Sequence, residues 1–178
     1  MQDRDRVVRG LQALVRDVPD FPIPGILFRD ITPILQHPVA FQACIDLFED
    51  HFKGQQIDVF AGIESRGFLF AAPIALALGA SFVPVRKAGK LPAAKLQRTY
   101  NLEYGTATVE LHRDAVQPGQ RVALVDDLLA TGGTAEAACY LLEEAGGTVV
   151  DVAFLIELDF LHGRQRLQGR QVTSFIHY

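Results

Sequence analysis

The chain is poor in the residues that build cages and cross-links. Of its 178 residues only Cys44 and Cys139 are cysteine, and both fall in apolar helical patterns, where buried thiols fit better than a disulfide or a metal site. None of the five histidines stands at metal-ligand spacing from another, and neither HExxH nor CxxC occurs. Zinc chemistry and Ser/His/Asp hydrolysis therefore lack support, and no protein side chain is nominated as a metal ligand. The Walker A pattern GxxxxGK[ST] and the Rossmann GxGxxG are missing too. The first residues, Met-Gln-Asp-Arg-Asp-Arg, hold no apolar h-region, so no secretory signal is expected and a reduced, cytoplasmic setting is the default. Positive charge is in deficit overall, with a net charge of −4 and a pI near 5.7. Nothing global draws nucleic acid or an anionic membrane, and neither is expected as a partner.

Two local absences matter more. From Gly67 to Val85 there is no charged residue, a run of nineteen that approaches the length of a membrane span. Pro73, Gly79, Ser81 and Pro84 interrupt it, and a buried helix followed by a buried strand accounts for it better. From Arg86 to Leu102 there is no acid, while Arg86, Lys87, Lys90, Lys95 and Arg98 supply five cations. Such a loop in an acidic chain suits a compact polyanion.

At 49% apolar residues over 178 positions the composition fits one domain with its own core. Val7, Val8, Leu11, Leu14 and Val15 recur at helical spacing, and Pro19, Pro22 and Pro24 then force extended chain. Phe41, Cys44, Ile45, Phe48 and Phe52 form a second helical stripe, stopped at Gly54. A strand is predicted over Ile57–Ile63, a helix over Gly67–Leu78 that Pro73 should kink or begin, and a strand over Ser81–Val85. Ala107, Val109 and Leu111 alternate with Thr108, Glu110 and His112, which predicts a half-exposed strand with the polar set outward. Val149–Ile156 and Val172–Ile176 supply further strands. Strands alternating with helices imply an α/β fold, a mainly parallel sheet with helices on both faces.

The most informative stretch is Val122-Ala-Leu-Val-Asp-Asp-Leu-Leu-Ala-Thr-Gly-Gly-Thr134. An apolar run, Val122 to Val125, reads as a buried strand ending at the paired acids Asp126 and Asp127. The small-residue turn Ala130, Thr131, Gly132, Gly133, Thr134 leads into a helix over Ala135–Ala145, closed by Gly146-Gly147. A turn without bulk lets backbone N–H groups approach phosphate oxygens at the positive end of a helix. Carboxylates repel phosphate but suit hydroxyl donors, so a phosphorylated sugar fits the whole, at the carboxyl end of a parallel strand. Gly62-Ile-Glu-Ser-Arg-Gly-Phe68 also joins a strand to a helix, and Arg66 can hold oxyanions in a bidentate grip. Glu103 and Tyr104, beyond the basic loop, are candidates for acid/base and lid or phosphate-donor roles.

The signature at 122–134 resembles the 5-phosphoribosyl 1-pyrophosphate (PRPP) motif of type I phosphoribosyltransferases. Taken with Phe21–Pro33, Glu64–Phe70, Val85–Pro92 and Leu102–Gly105 in that order, the chain resembles the adenine phosphoribosyltransferase family over nearly its whole length. The resemblance implies transfer of the 5-phosphoribosyl group from PRPP to adenine, giving AMP and pyrophosphate. It implies a single domain, residues 1–178, in which 1–35 form a hood over the base site and 87–108 a mobile lid. Leu27, Phe28 and Arg29 would bind adenine, with Leu158 as the opposite apolar wall. Arg66, Lys87 and Lys90 would contact pyrophosphate, Asp126 and Asp127 the ribose hydroxyls, and Ala130, Thr131, Gly132, Gly133 and Thr134 the 5′-phosphate. Arg66 and Glu103 are the catalytic candidates, and Tyr104 belongs to the lid. Mg2+ would be held mainly through PRPP and pyrophosphate. A homodimer is implied, with Arg86 approaching the partner's site. A transferase for a 6-oxopurine such as hypoxanthine or xanthine, and a non-catalytic PRPP-sensing regulator, are the alternatives.

Overall fold

A computed structural model describes residues 2–101 and 105–178. The chain divides into two compact units, Met1–His51 and Phe52–Tyr178. In the first, α1 (Gln2–Leu14) is followed by the antiparallel strands β1 (Arg16–Pro19) and β2 (Leu27–Asp30), the short α2 (Thr32–Leu35) and α3, which begins at Pro38 and runs to Phe52. The three prolines at 19, 22 and 24 keep helix out of this segment, as their fixed φ requires. The sequence reading leaves it extended, and the pairing of Arg16 with Asp30 and Pro19 with Leu27 shows that it forms a hairpin.

The second unit is built on a seven-stranded sheet. In chain order its elements are β3 (Val59–Ile63), α4 (Gly67–Leu78), β4 (Ser81–Lys87), β5 (Lys95–Asn101), β6 (Thr106–His112), β7 (Arg121–Leu129), α5 (Gly133–Glu144), β8 (Thr148–Glu157) and β9 (Val172–His177). The spatial order is β5-β6-β4-β3-β7-β8-β9. β4, β3, β7, β8 and β9 pair in parallel, and the β5–β6 hairpin adds an antiparallel edge beside β4. This is the expected mainly parallel α/β fold. α4 packs on β3, β4 and β7, and α5 packs on β5 through β8. Every residue of β3 is buried, as a strand covered on both faces must be. Phe60, Phe154, Leu124 and Leu141 are almost fully enclosed, and each such side chain contributes about 1.5–3 kcal/mol relative to exposure.

The charge-free stretch is resolved as α4 and β4. Pro73 lies inside α4 rather than in its first turn. Among the described residues no helix is long and apolar enough to cross a membrane. Two expectations change. The basic loop contains a strand, β5, that sequence reading missed. β7 does not end at the acids; it continues through Asp126 and Asp127 to Leu129, paired with β8 up to Leu129 and Glu157.

The sheet register sets up the site. Gly62 of β3 lies opposite Val125 of β7 and Pro84 of β4, and Ile63 lies opposite Val85. The residues that follow these pairs in each chain, Glu64 to Arg66, Arg86 to Lys87 and Asp126 to Asp127, therefore reach the carboxyl edge of the sheet together.

Candidate active site

A cavity of about 440 Å³ opens at that edge, and Glu64, Ser65, Arg66, Lys87, Asp126, Asp127 and Thr134 line it with Tyr100. A smaller one of about 80 Å³ adjoins it, lined by Ala130, Thr131, Gly132, Gly133 and Thr134 together with Asp126. The structure thus brings the Arg66 loop, Lys87, the paired acids and the glycine turn together. Lys90 is exposed and does not line the cavity.

The glycines of both loops are sterically required. A Cβ on Gly67 would lie 2.7 Å from the Val125 carbonyl and 2.9 Å from Asp126 Oδ1, so the two loops pack directly on each other. Gly132, at φ +81°, caps the start of α5 in the left-handed region and its Cβ would meet the Gly163 carbonyl at 2.5 Å. Gly163, which no sequence motif singled out, is as tight, with its own Cβ 2.2 Å from the Ala130 carbonyl. The turn is therefore held from behind by a segment some thirty residues on.

The two acids differ. Asp126 Oδ1 accepts from the Asp127 N–H at 2.9 Å. Burial, and then the neighbouring Asp127 carboxylate, push the Asp126 carboxyl well above its usual range. Asp127 is also raised by burial, but less simply, because Arg66 Nε lies 2.7 Å from its Oδ2 and opposes the shift. Two carboxylates in one enclosed place titrate together, each disfavouring the other's charge.

The five cations sort themselves. Glu64 Oε2 accepts from Arg86 Nε at 3.1 Å and from the Lys87 N–H at 3.0 Å. Burial works to raise the Glu64 carboxyl, but these donors outweigh it and hold it below its ordinary value. Lys95 Nζ is 2.9 Å from Glu110. Arg98 stacks on the Tyr140 ring, 3.9 Å from its centre. Of the five, only Lys87 lines the cavity, so the expectation that all five face one polyanion is corrected: three are committed to protein partners. The Glu64–Ser65 peptide bond is cis.

Tyr100 is a cavity residue that sequence reading did not select. Its ring lies on Gly133, where an added Cβ would be 3.3 Å away, and its Oη accepts from Thr134 Oγ1 at 2.9 Å. Nothing in the local pattern marks it; its position comes from β5 pairing into the sheet. Glu103 and Tyr104 lie outside the described residues. Leu158 follows β8, half-buried, and its N–H donates to the Leu129 carbonyl at 2.9 Å, which places it beside the end of β7. In the first unit Leu27 is exposed, while Phe28 packs edge-on against Phe21 at 5.1 Å and Arg29 pairs with Asp17.

Among the described residues, one group has metal-ligand spacing, Glu157, Asp159 and His177. Glu157 there is gripped by Arg164 Nε through both oxygens, at 2.7 and 2.9 Å, and His177 Nδ1 contacts Asp159. The acids of the cavity are already engaged by Arg66 and a backbone N–H, a donor set that suits a cation brought in on a substrate's own oxygens.

Residues 30–174 match the phosphoribosyl transferase domain family. The adenine phosphoribosyltransferase of Chloroflexus aurantiacus is 57% identical over 170 residues, which are 96% of this chain and 98% of that protein. That of Thermobifida fusca is 60% identical, over 90% of this chain and 91% of its own. The crystal structure of adenine phosphoribosyltransferase from Thermoanaerobacter pseudethanolicus superposes with a TM-score of 0.94 at 50% identity, covering 96% of this chain and 99% of that one. The Saccharomyces cerevisiae enzyme, solved with D-2,5-dideoxy-2,5-imino-altritol 1,6-bisphosphate and adenine, superposes at 0.91 with 43% identity, over 96% and 98%. Fold, site and these likenesses agree: the chain belongs to the adenine phosphoribosyltransferase family.

Proposed function

We propose that this protein transfers the 5-phosphoribosyl group of PRPP to N9 of adenine, giving AMP and pyrophosphate. The observation that carries the reading is the convergence of Arg66, Lys87, the Asp126–Asp127 pair and the glycine turn on one cavity edge. One element offers main-chain donors for the 5′-phosphate, the next offers acceptors for ribose hydroxyls, and the third offers cations for the diphosphate.

In the reaction the C1′–O bond to pyrophosphate breaks as N9 forms its bond to C1′, and the ribose becomes oxocarbenium-like between them. Charge gathers on the departing diphosphate. Fixed cations aimed at it lower the barrier more than they strengthen ground-state binding, and Arg66, Lys87 and Lys90 take this role. When bound with the substrate, Mg2+ would supply further positive charge beside that held by Arg66, Lys87 and Lys90. Asp126 and Asp127 orient the ribose hydroxyls, and Ala130 to Thr134 cradle the 5′-phosphate. Glu103 serves as the acid/base at the purine, a function typically worth about 10²–10⁴-fold in rate. Tyr104 acts in a lid over residues 87–108 that keeps water from the activated sugar. Leu27, Phe28, Arg29 and Leu158 are the proposed adenine contacts, the first three within a hood of residues 1–35.

A cytoplasmic homodimer completes the proposal. In support, α4 exposes apolar side chains that a monomer would leave in water, Leu69 at 41% and Leu76 at 84%. The test of function is incubation with PRPP, Mg2+ and each base separately, with the nucleotide products resolved chromatographically. AMP from adenine is expected. IMP from hypoxanthine with no AMP from adenine would replace the base assignment, and no nucleotide from any base would replace catalysis with sensing.

A further inference from the structure

Two distant segments wall the glycine turn at neighbouring positions. An added Cβ on Gly132 would meet the Gly163 carbonyl, and one on Gly133 would lie 3.3 Å from Tyr100 Cδ2 and 3.5 Å from the Asn101 carbonyl. β5 therefore rests against the start of α5, and it does so through one face. Arg98 and Tyr100, two residues apart, stand on the same side of the strand. Arg98 stacks on Tyr140 of α5, while Tyr100 reaches Gly133 and Thr134. Tyr100 is held in turn by the pairing of β5 with β6, where it lies opposite Ala107.

Beyond its ring, Tyr100 brings a hydroxyl. Thr134 Oγ1 donates to Tyr100 Oη at 2.9 Å. Each hydroxyl carries one proton and two lone pairs, and its hydrogen rotates to suit its neighbours. The pair thus has a second arrangement, in which Tyr100 donates to Thr134 and the Thr134 proton is released to a third group. Thr134 lines both the large cavity and the small one at the glycine turn, whereas of these two Tyr100 lines the large one. The threonine hydroxyl thus stands between the tyrosine and the space in front of the turn. Gly132 caps α5 with no side-chain hydrogen bond, which leaves the first-turn N–H groups for the same space. A phosphate placed there is an acceptor and selects the second arrangement.

We infer that Tyr100 is a positioning residue for the 5′-phosphate: its hydroxyl donates to Thr134 Oγ1 and so aims the Thr134 O–H at the phosphate. This rests on the reading of residues 130–134 as the phosphate cradle. Two hydrogen bonds in a chain polarise one another, and the charge at the far end strengthens both. The strand supplies the fixed end of that chain, so Thr134 need not find its rotamer unaided. The benefit belongs to ligands bearing the 5′-phosphate and is not shared by free pyrophosphate or by the base.

The test compares wild type with Tyr100→Phe, Thr134→Val and the double variant. Phenylalanine keeps the ring on Gly133 and removes the hydroxyl alone. Calorimetry gives Kd for ribose 5-phosphate and for pyrophosphate with Mg2+, and kinetics give kcat with KM for PRPP and adenine. Expected for Tyr100→Phe is a rise of about fivefold in ribose 5-phosphate Kd and PRPP KM. Pyrophosphate Kd and adenine KM should stay within about twofold of wild type. Thr134→Val should lose more, and adding Tyr100→Phe to it should cost nothing further, because the tyrosine acts only through the threonine. In a Thr134→Ser background, which restores the hydroxyl, the effect of Tyr100→Phe should return. Additive losses in the double variant, or equal losses for pyrophosphate and ribose 5-phosphate, would overturn the inference. Wild-type binding of ribose 5-phosphate is scored separately: its absence would remove the phosphate cradle itself, whereas normal wild-type binding with an unaltered Tyr100→Phe removes only the role of Tyr100.

Discussion

Arg66, at the start of α4, and Asp127, inside β7, meet across the floor of the cavity with Nε 2.7 Å from Oδ2. The pair is lopsided. The Arg66 side chain is 38% exposed and that of Asp127 only 4%, so the arginine can turn to a ligand while the aspartate cannot leave.

Arg66→Met should therefore act twice. It removes a proposed diphosphate contact and leaves an enclosed carboxylate without its cation. Breaking a fully buried pair costs about 3–5 kcal/mol, and the exposure of Arg66 discounts that to about 1–2 kcal/mol. The sign with pH is fixed. Asp127 is already raised by burial, and without Arg66 it is raised further, so its charged form opposes folding. The variant's deficit should grow from pH 5 to pH 8, as measured by urea denaturation at the two values.

Asp126→Asn predicts the opposite for stability. The Asp126 carboxyl is pushed well up, so the folded state binds more protons than the unfolded one over the interval between the two values. Wild-type stability then falls as pH rises through that interval. Asparagine is neutral and can still accept from the Asp127 N–H, so the ligand-free variant should match wild type at low pH and exceed it at pH 8. Its PRPP affinity should fall about tenfold or more, since hydrogen bonds to a charged acceptor are worth about 1.5–3 kcal/mol. Thermal melts and PRPP titration on one preparation check both halves.

Gly132→Ala should damage both fold and site. The left-handed φ costs a side chain about 1–2 kcal/mol, and the Gly163 carbonyl 2.5 Å away is backbone that cannot swing aside. A loss of about 2 kcal/mol or more is expected, near a 5 °C drop in Tm for a chain of this size, with a large rise in PRPP KM. A variant that melts with wild type would show that the turn tolerates a Cβ.

What sequence reveals and what it hides follows physical lines here. The β7 turn, the Arg66 loop and the alternation of strands with helices are legible because their chemistry is local: apolar runs, small residues and punctuation lie side by side. β5, Lys-Leu-Gln-Arg-Thr-Tyr-Asn, is hidden because a polar edge strand has weak propensity and gains its order from β6. Asp126 and Asp127 read as a strand end because aspartate is rare in strands, yet pairing with β8 carries β7 through them. Gly163 owes its place to a contact distant in sequence, with the Ala130 carbonyl, and no short window along the chain contains both sides.

The central claim is that main-chain donors at residues 131–134 grip a 5′-phosphate. The most direct measurement is a titration of ¹⁵N-labelled protein with ribose 5-phosphate, following assigned backbone amides. The account predicts that the largest shifts fall on Thr131, Gly132, Gly133 and Thr134, with saturation that Gly132→Ala abolishes. Saturable binding that leaves those four amides unmoved would contradict it.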